Sequence, residues 1–301
     1  MKNSAEIVSG TINTNSLDLT PQFTSKGEGN YVVRIRAVGG DNTEASDYAV
    51  STSYEVTQNL LVKAFVSRLY LVILNREADA EGLDAWTNQL IDKVADGAQI
   101  VAGLVGSEEF MGRGLSEADV VTIMYQAMLG RNPDDAGKEA WTKILNNGCS
   151  DLYIVNGFSG SQEFGEICNT YGINAGTVEL TNPRDVNPDL TGFVTRCYVE
   201  SLGRRPDIDG LDNWCNQLLI GEETPKNVAY GFVFSPETLE KNLDDSSYLD
   251  MLYLLCLGRE ADEGGKAGWL KSLQEESREQ VFWGFANSLE FEGIIEEYGL
   301  N

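Results

Sequence analysis

Carboxylate-rich loops are the first candidates for chemistry in this chain of 301 residues. The stretch Asp207-Ile208-Asp209-Gly210 begins like an EF-hand loop, in which alternate carboxylates bind calcium and a glutamate closes the loop at its twelfth position. The twelfth residue here is Leu218, and the similar loop that begins at Asp79 has Leu90 there. We therefore favour helix capping over metal binding for these aspartates. We predict no cofactor, with calcium as the one metal left open.

Adjacent acids, Glu108/Glu109 and Asp244/Asp245, are the second candidates, because a glycosidase needs two facing carboxylates. Neighbouring residues on a helix point in different directions, so neither pair is suggestive of that geometry. The chain contains no histidine, which is the usual acid–base group near neutral pH and a frequent metal ligand. Its absence disfavours serine and cysteine hydrolases, most zinc enzymes and most non-haem iron sites. We predict a protein that is not an enzyme and nominate no catalytic residue.

The net charge of −25, with an isoelectric point near 4.2, dominates the composition. An anionic surface repels phosphate backbones and acidic lipid surfaces, so we expect no binding to nucleic acid. Lys63 and Arg68 interrupt the best apolar stretch, so no run is long enough for a membrane-spanning helix. Residues 1–10 contain no apolar segment of a signal peptide. We predict no insertion into a membrane.

Four stretches of the chain repeat one pattern, in which arginine is followed by aspartate three residues later, glycine six later and tryptophan ten later. The stretches are NREADAEGLDAW (75–86), GRNPDDAGKEAW (130–141), GRRPDIDGLDNW (203–214) and GREADEGGKAGW (258–269). The recurring residues are Arg76, Asp79, Gly82, Trp86, Arg131, Asp134, Gly137, Trp141, Arg204, Asp207, Gly210, Trp214, Arg259, Asp262, Gly265 and Trp269. Recurrence at such a period is typical of helical repeats that bury their faces against one another.

Helix capping and packing explain the recurring residues. An aspartate directly before a helix accepts hydrogen bonds from the first free N–H groups. We expect the glycine to permit a close approach of another element, the tryptophan to fill the core, and the arginine to close on loop carbonyls or on a nearby carboxylate. A later segment, GLVGSEEF (103–110) in copy one, contains a serine placed as a second cap, and its glutamates then lie in the first turn of that helix.

The spacing of the copies divides the chain. The tryptophans are separated by 55, 73 and 55 residues, so copies one and two form one doublet, and copies three and four form another. We predict a mainly α fold, with tandem three-helix repeats forming two helical domains after a short N-terminal β segment. The predicted boundaries are 1–58 for the β segment, 59–174 for the first doublet (copies 59–116 and 117–174), 175–190 for a linker, and 191–301 for the second doublet (copies 191–245 and 246–301).

Five cysteines are a further source of chemistry, and none of them forms a C-x-x-C pair. Zinc ribbons and thioredoxin-like redox sites are thereby disfavoured. Cysteine is often a small buried apolar residue, and we expect this role by default. The pairs Cys197–Cys215 and Cys149–Cys168 each lie inside one copy and are our candidates for disulfide bonds. The odd number, which includes Cys256, leaves at least one cysteine unpaired within the chain.

Residues 1–58 differ from the rest. The stretch YVVRIRAVGG (31–40) alternates apolar and polar residues, as a half-buried strand does, and YAVSTSYEV (48–56) is a second extended stretch. The first stretch resembles the strand before the last hairpin of a fibronectin type III domain. This resemblance implies the second half of a β-sandwich. A small hairpin packed on the helices is the simpler alternative.

The combined pattern L-[GN]-R-x-x-D-x-x-G-x-x-x-W, followed by G-F-x-x-S-x-E-F, resembles a bacterial domain of unknown function that is itself similar to the phycobilisome linker domain. Copy one departs from the pattern at Asn75, in place of glycine, and copy three departs at Thr238, in place of phenylalanine. The resemblance implies a secreted or surface-attached bacterial protein, and it supplies no catalytic residues.

These observations together predict a non-catalytic binding or adhesion module at the bacterial cell surface or outside the cell. Its partner would be a host or surface protein or a glycan. The runner-up is a structural assembly or spacer module, with or without stabilisation by calcium. The third class is a carboxylate-based enzyme. The sequence specifies neither the ligand nor the oligomeric state. We expect any functional site where the copies differ: in residues 171–190, in a groove between the doublets or in the variable loops.

Overall fold

The computed structural model describes residues 28–32, 34–35, 49–50 and 54–299. These residues are mainly helical, so the predicted fold class is confirmed. Strand β1 (Gly29–Tyr31) pairs antiparallel with β4 (Tyr54–Val56), and β2 (Arg34–Ile35) pairs antiparallel with β3 (Ala49–Val50). The rest of the segment that resembles a fibronectin type III domain lies outside the described residues.

Each copy consists of four α-helices, one more than the three predicted. Copy one contains α1 (Gln58–Leu69), α2 (Ala80–Ile91), α3 (Gly97–Val105) and α4 (Glu108–Met111), and copy two contains α5 (Glu117–Met124), α6 (Asp135–Asn146), α7 (Asp151–Ser159) and α8 (Gln162–Thr170). Copy three contains α9 (Pro188–Arg196), α10 (Ile208–Leu219), α11 (Pro225–Val233) and α12 (Pro236–Leu239), and copy four contains α13 (Asp245–Leu252), α14 (Glu263–Ser272), α15 (Arg278–Ala286) and α16 (Leu289–Glu297). The serine of the later segment caps the fourth helix with its side chain, as predicted, and the unpredicted helix is the third one, which precedes that serine.

The first helix of every copy continues directly into a π-helical turn. These turns are Tyr70–Leu74, Tyr125–Leu129, Cys197–Leu202 and Tyr253–Leu257. Each turn ends at a residue in the left-handed region: Asn75 (φ 56°), Gly130 (66°), Gly203 (72°) and Gly258 (63°). Glycine adopts this conformation without a steric penalty, and asparagine is among the few other residues that tolerate it. The residue before each recurring arginine is therefore glycine or asparagine.

The described chain forms two compact units. The first contains the described residues as far as Asp134 together with Ile154–Glu179, and the second contains Asp135–Tyr153 together with the residues from Leu180 onward. The Trp-bearing helix α6 of copy two therefore belongs to the second unit. The doublet boundaries drawn from the repeat spacing stay a prediction.

Polar contacts hold residues 147–150 in the second unit. The backbone N–H and the hydroxyl of Ser150 both donate to the carboxylate of Asp185, at 2.7 Å each. Asp185 is buried, at the end of the 3-10 turn Pro183–Asp185, and the Thr195 hydroxyl donates to the Asn147 carbonyl at 2.7 Å. The second half of the predicted linker is thus folded against helices.

Buried apolar side chains of the first, third and fourth helices, with the π-turns, form most of the core of each unit. Fully buried examples in the first unit are Phe65, Ile100, Met124 and Ile154, and examples in the second are Phe193, Phe282, Phe285 and Phe291. No helix in the described part of the chain is long and apolar enough to cross a membrane.

Candidate functional site

The recurring arginine of each copy pairs with the glutamate in the first turn of the fourth helix. The Nε–Oε1 distances are 2.5 Å for Arg76–Glu109, 2.7 Å for Arg131–Glu163, 3.3 Å for Arg204–Glu237 and 2.5 Å for Arg259–Glu290. A second nitrogen of each guanidinium donates to the other carboxylate oxygen, so the pairs are two-pronged. The hydrogen bonds from Arg76 lower the pKa of Glu109, and those from Arg259 lower the pKa of Glu290.

The same arginines also lie over the tyrosine near the start of each π-turn. The distances from the guanidinium carbon to the ring centre are 5.1 Å for Arg76–Tyr70, 5.0 Å for Arg131–Tyr125, 5.4 Å for Arg204–Tyr198 and 5.2 Å for Arg259–Tyr253. A cation at this distance is attracted by the ring face. Each arginine therefore ties the π-turn to the fourth helix of its own copy.

The recurring aspartate and glycine meet at the start of the Trp-bearing helix. Asp79, Asp207 and Asp262 each accept a hydrogen bond at 2.8 Å from the N–H of the glycine three residues later. In the second copy, the Arg131 guanidinium lies 4.0 Å from the Asp134 carboxylate. An added Cβ on Gly210 would lie 2.7 Å from the Tyr198 hydroxyl oxygen, and Gly82 and Gly265 approach their tyrosines in the same way. The glycine is therefore required for close packing.

The four recurring tryptophans are half-buried, so the prediction that they fill the core is corrected. Trp214 and Trp269 pack against the edge of the core of the second unit. Trp269 stacks on Phe285 with ring centres 4.8 Å apart, and an added Cβ on Gly103 would lie 3.0 Å from Trp86. In copies one and four the indole lies across the glycine of the third helix, Gly103 or Gly284, and part of its ring is left in solvent.

A hollow of about 350 Å³ in the second unit lies apart from the recurring residues. Its walls include Phe234, Leu239, Asn242, Tyr248 and Arg278. This volume falls at the lower end of the range for small-molecule sites, about 300–1,000 Å³. A hollow of about 620 Å³ in the first unit is lined by β1, β4 and the start of α1, and its lining contains neither an aromatic side chain nor a cation.

A row of three half-buried aromatic residues begins at the wall of the smaller hollow. Phe234 lines the hollow, and Tyr230 and Trp283 follow it. Tyr230 stacks on Trp283 with ring centres 5.6 Å apart and an interplanar angle of 21°, and it lies 4.7 Å from Phe234. All three rings meet the buried Phe282 edge-on. We call Tyr230, Phe234 and Trp283 the aromatic platform.

Charged groups surround the aromatic platform and the hollow. The Tyr230 hydroxyl donates to the Glu279 carboxylate at 2.9 Å, and this hydrogen bond raises the pKa of Tyr230. The Lys226 ammonium donates to Asn287 and to Glu292, at 3.0 Å each. Lys226 lies one helical turn before Tyr230 on α11, so a donor and several acceptors lie near the platform.

The Arg278 guanidinium forms one wall of the hollow. It lies 4.9 Å from the centre of the Tyr248 ring and donates to the Asp245 carboxylate at 2.8 Å and to the Leu243 carbonyl at 2.6 Å. Burial raises the pKa of Tyr248, so its hydroxyl stays protonated and donates to the Arg278 carbonyl at 2.7 Å. These contacts fix a cation and a phenol beside the Phe234 ring.

The family described as Domain of unknown function (DUF4214) matches the chain over residues 45–114, 104–168, 179–242 and 237–294. The chain belongs to this family. Its four matches correspond to the four copies that the arginine-to-tryptophan pattern predicts. No curated protein shows a significant match to the chain. The resemblances to the phycobilisome linker domain and to a fibronectin type III domain stay predictions.

The acids that suggested calcium or glycosidase chemistry make structural contacts in this DUF4214 chain. Glu109 pairs with Arg76, Asp244 caps α13 through the N–H of Ser247 at 2.7 Å, and Asp245 pairs with Arg278. Across the described residues, no three or more aspartate, glutamate or cysteine side chains are grouped so that they could hold a metal ion. The sequence interpretation of the Asp79 and Asp207 loops as caps agrees with this geometry.

All five cysteines of this DUF4214 chain are buried free thiols, so neither candidate disulfide is formed. Burial raises the pKa of Cys149 and Cys168 to about 12 and that of Cys215 to about 11. Because the thiolate is the reactive form, these residues are poor nucleophiles at neutral pH. The default expectation of small buried apolar side chains is confirmed.

The sequence interpretation missed two groups of residues. It left the partner of the recurring arginine open, although arginine and glutamate recur 31 to 33 residues apart in every copy. It also missed the aromatic platform, although Trp283 is the one tryptophan outside the recurring pattern. That exception is the signal that could have pointed to the platform.

Proposed function

We propose that this DUF4214 protein is a non-catalytic binding module of a secreted or surface-attached bacterial protein. The observation that carries the proposal is a difference between two sets of residues. The pairs of arginine with glutamate and tyrosine occur in all four copies, whereas the platform aromatics belong to copies three and four. Residues that the repeat does not need for folding are the ones free to serve a ligand.

Three features support a role without catalysis. The acids in the recurring pattern accept hydrogen bonds from backbone N–H groups or arginine. The chain has no histidine to act as an acid or base near neutral pH. The five thiols are buried, with raised pKa values.

The proposed partners are a glycan or a protein of a host or bacterial surface. Support comes from the net charge of −25, which disfavours nucleic acid and anionic membranes, and from the hollow beside the aromatic platform. The test is a binding screen of the whole chain against glycans, mucin and extracellular matrix proteins. Retention on one of these that is lost when Arg278 and Phe234 are replaced together by alanine supports the proposal. A screen that is blank throughout would argue strongly against it.

The second candidate is a structural spacer, and the near-identity of the four arginine clusters favours it. In that role the chain would hold another domain at a fixed distance and bind no ligand of its own. A calcium-stabilised version would melt at a higher temperature with calcium than with a chelator. A chain that melts alike in both conditions and yet binds a ligand would exclude this version of the spacer.

A further inference from the structure

We propose that the aromatic platform and its hollow bind a neutral glycan, whose sugar rings pack on Tyr230 and Trp283. This inference rests on the proposed binding function and adds the class of ligand and the site. Four observations support it: the positions of the aromatic residues in the repeat, the covering of the equivalent face in the first unit, the mixture of polar groups around the rings, and the charge of the protein.

The platform aromatics occupy a position at which the repeat does not require an aromatic residue. The residue immediately before the glycine of the third helix is Ala102 in copy one, Asn156 in copy two, Tyr230 in copy three and Trp283 in copy four. The first unit thus contains the same helices with alanine and asparagine at this position. In the second unit the two equivalent residues stack on each other. Folding of the repeat therefore does not account for this pair.

A chain segment docks on the equivalent face of the first unit. The N–H groups of Gly97 and Ala98 donate to the carbonyls of Asn174 and Ala175, at 2.9 and 2.8 Å. The Asn156 side chain also donates to this segment, to the carbonyl of Val178 at 2.5 Å. In the first unit, the hydrogen-bond donors of this face are therefore paired with backbone carbonyls of the same unit.

The second unit lacks two of the donors that hold such a segment. Helix α11 begins at Pro225, which has no N–H where α3 has that of Gly97, and Trp283 replaces Asn156. Aromatic surface has taken the place of these backbone-binding groups. Tyr230 and Trp283 keep part of their surface in solvent, where an external ligand can reach them.

The polar groups around the rings suit a ligand with many hydroxyl groups. Each sugar hydroxyl both donates and accepts hydrogen bonds, so it needs acceptors and donors close together. Glu279 supplies acceptor oxygens beside Tyr230, and Lys226, which lies one helical turn before Tyr230 on α11, supplies N–H donors beside Asn287. The apolar faces of a sugar ring and of an aromatic ring can then meet between these polar groups.

The charge of the protein favours a neutral glycan over an acidic one. The net charge is −25, and each cation near the platform is already paired with a carboxylate: Lys226 with Glu292 and Arg278 with Asp245. An anionic sugar would have to compete with these carboxylates. A proline-rich peptide fits less well, because it docks between aromatic rings, and here Tyr230 and Trp283 are stacked on each other.

The test uses the whole chain on an array that carries neutral and acidic oligosaccharides, followed by titration of the best neutral ligand. The variants are Tyr230→Ala and Trp283→Asn, which place the residues of copies one and two at the same positions, and circular dichroism checks that each variant is folded. The matched control is Tyr153→Ala, which removes a half-buried tyrosine outside the platform.

We expect binding to neutral oligosaccharides, a loss of affinity of roughly tenfold or more in each platform variant, as for a central aromatic contact, and unchanged affinity in the control. Three results would overturn the inference: no glycan bound, equal affinity in all variants, or binding to acidic glycans alone. If the chain instead binds a protein or a proline-rich peptide through the hollow, the inference fails while the proposed binding function stands. If neither glycan nor protein is bound, both fail.

Discussion

Replacing glycine by alanine at two positions of copy three should affect stability in opposite ways. Gly210 lies in the first turn of α10, where an added Cβ would be 2.7 Å from the Tyr198 hydroxyl oxygen. Gly231 lies inside α11 and is exposed, and an added Cβ there would have no neighbouring heavy atom of the described chain within 4 Å, apart from its own helix. The same substitution thus meets an obstacle at one position and open space at the other.

The magnitude follows from two opposing effects. Alanine is favoured over glycine inside a helix by about 1 kcal/mol, so Gly231→Ala should raise the free energy of unfolding by up to that amount. An overpacked contact costs about 1–3 kcal/mol. Because any gain in helix propensity is at most the same at Gly210, we expect Gly210→Ala to be less stable than Gly231→Ala by about 1–3 kcal/mol.

The assay is urea or thermal unfolding of the whole chain followed by circular dichroism. Both glycines lie in the second unit, so the two variants test the stability of the same unit. Adding Tyr198→Phe to Gly210→Ala removes the overlapping hydroxyl and should recover part of the loss, although the phenol also gives up its hydrogen bond with Trp214. Equal stability of Gly210→Ala and Gly231→Ala would refute the idea that the tyrosine contact reserves this position for glycine.

Three further predictions concern pH, thiols and calcium. Arg76 lowers the pKa of Glu109, and the Gly82 N–H lowers the pKa of Asp79. A carboxyl whose pKa is lower in the folded state stabilises the fold at any pH above its unfolded-state pKa. This stability is lost as the pH falls towards and through the folded-state pKa. The melting temperature should therefore fall below about pH 4.5, less steeply in Glu109→Gln, and parallel curves would contradict this reasoning. A thiol reagent should label no cysteine of the native chain at neutral pH and all five after unfolding, because all are buried; rapid labelling of one native thiol would show that its burial is wrong. Calcium or a chelator should leave the melting temperature unchanged, since Asp79 and Asp207 already accept hydrogen bonds from backbone N–H groups. A higher melting temperature with calcium would favour the calcium-stabilised spacer.

Local interactions of the fold could be predicted from the sequence. Asp79 and Asp207 cap helices through contacts that span three residues, so their spacing alone identifies them. The serine caps are local in the same sense, and the sequence placed them correctly. The sequence pattern did not predict the separate helix before each serine, such as Gly97–Val105, which contains the glycine of the segment.

Contacts between distant residues could be predicted only in part. The Arg76–Glu109 pair joins residues 33 apart, and a single chain offers no local rule that selects this glutamate among the many acids. The meeting of Tyr230 and Trp283 depends on the packing of α11 against α15, which no spacing reveals. The expectation that a site lies where the copies differ agrees with the proposed site, but the differing residues lie on helices and not in the 171–190 segment or a variable loop.

The order of the packed segments along the chain constrains how the protein can fold during its synthesis. Residues 135–153 belong to the second unit, yet they leave the ribosome before residues 154–179, which complete the first. Ser150 must wait for Asp185, its buried partner. Folding of the nascent first unit must therefore tolerate an insert that has nothing to pack on. In a fragment that ends at residue 174, residues 135–153 would lack their packing partners for good. Expression trials should therefore keep α6 together with residues 180–196.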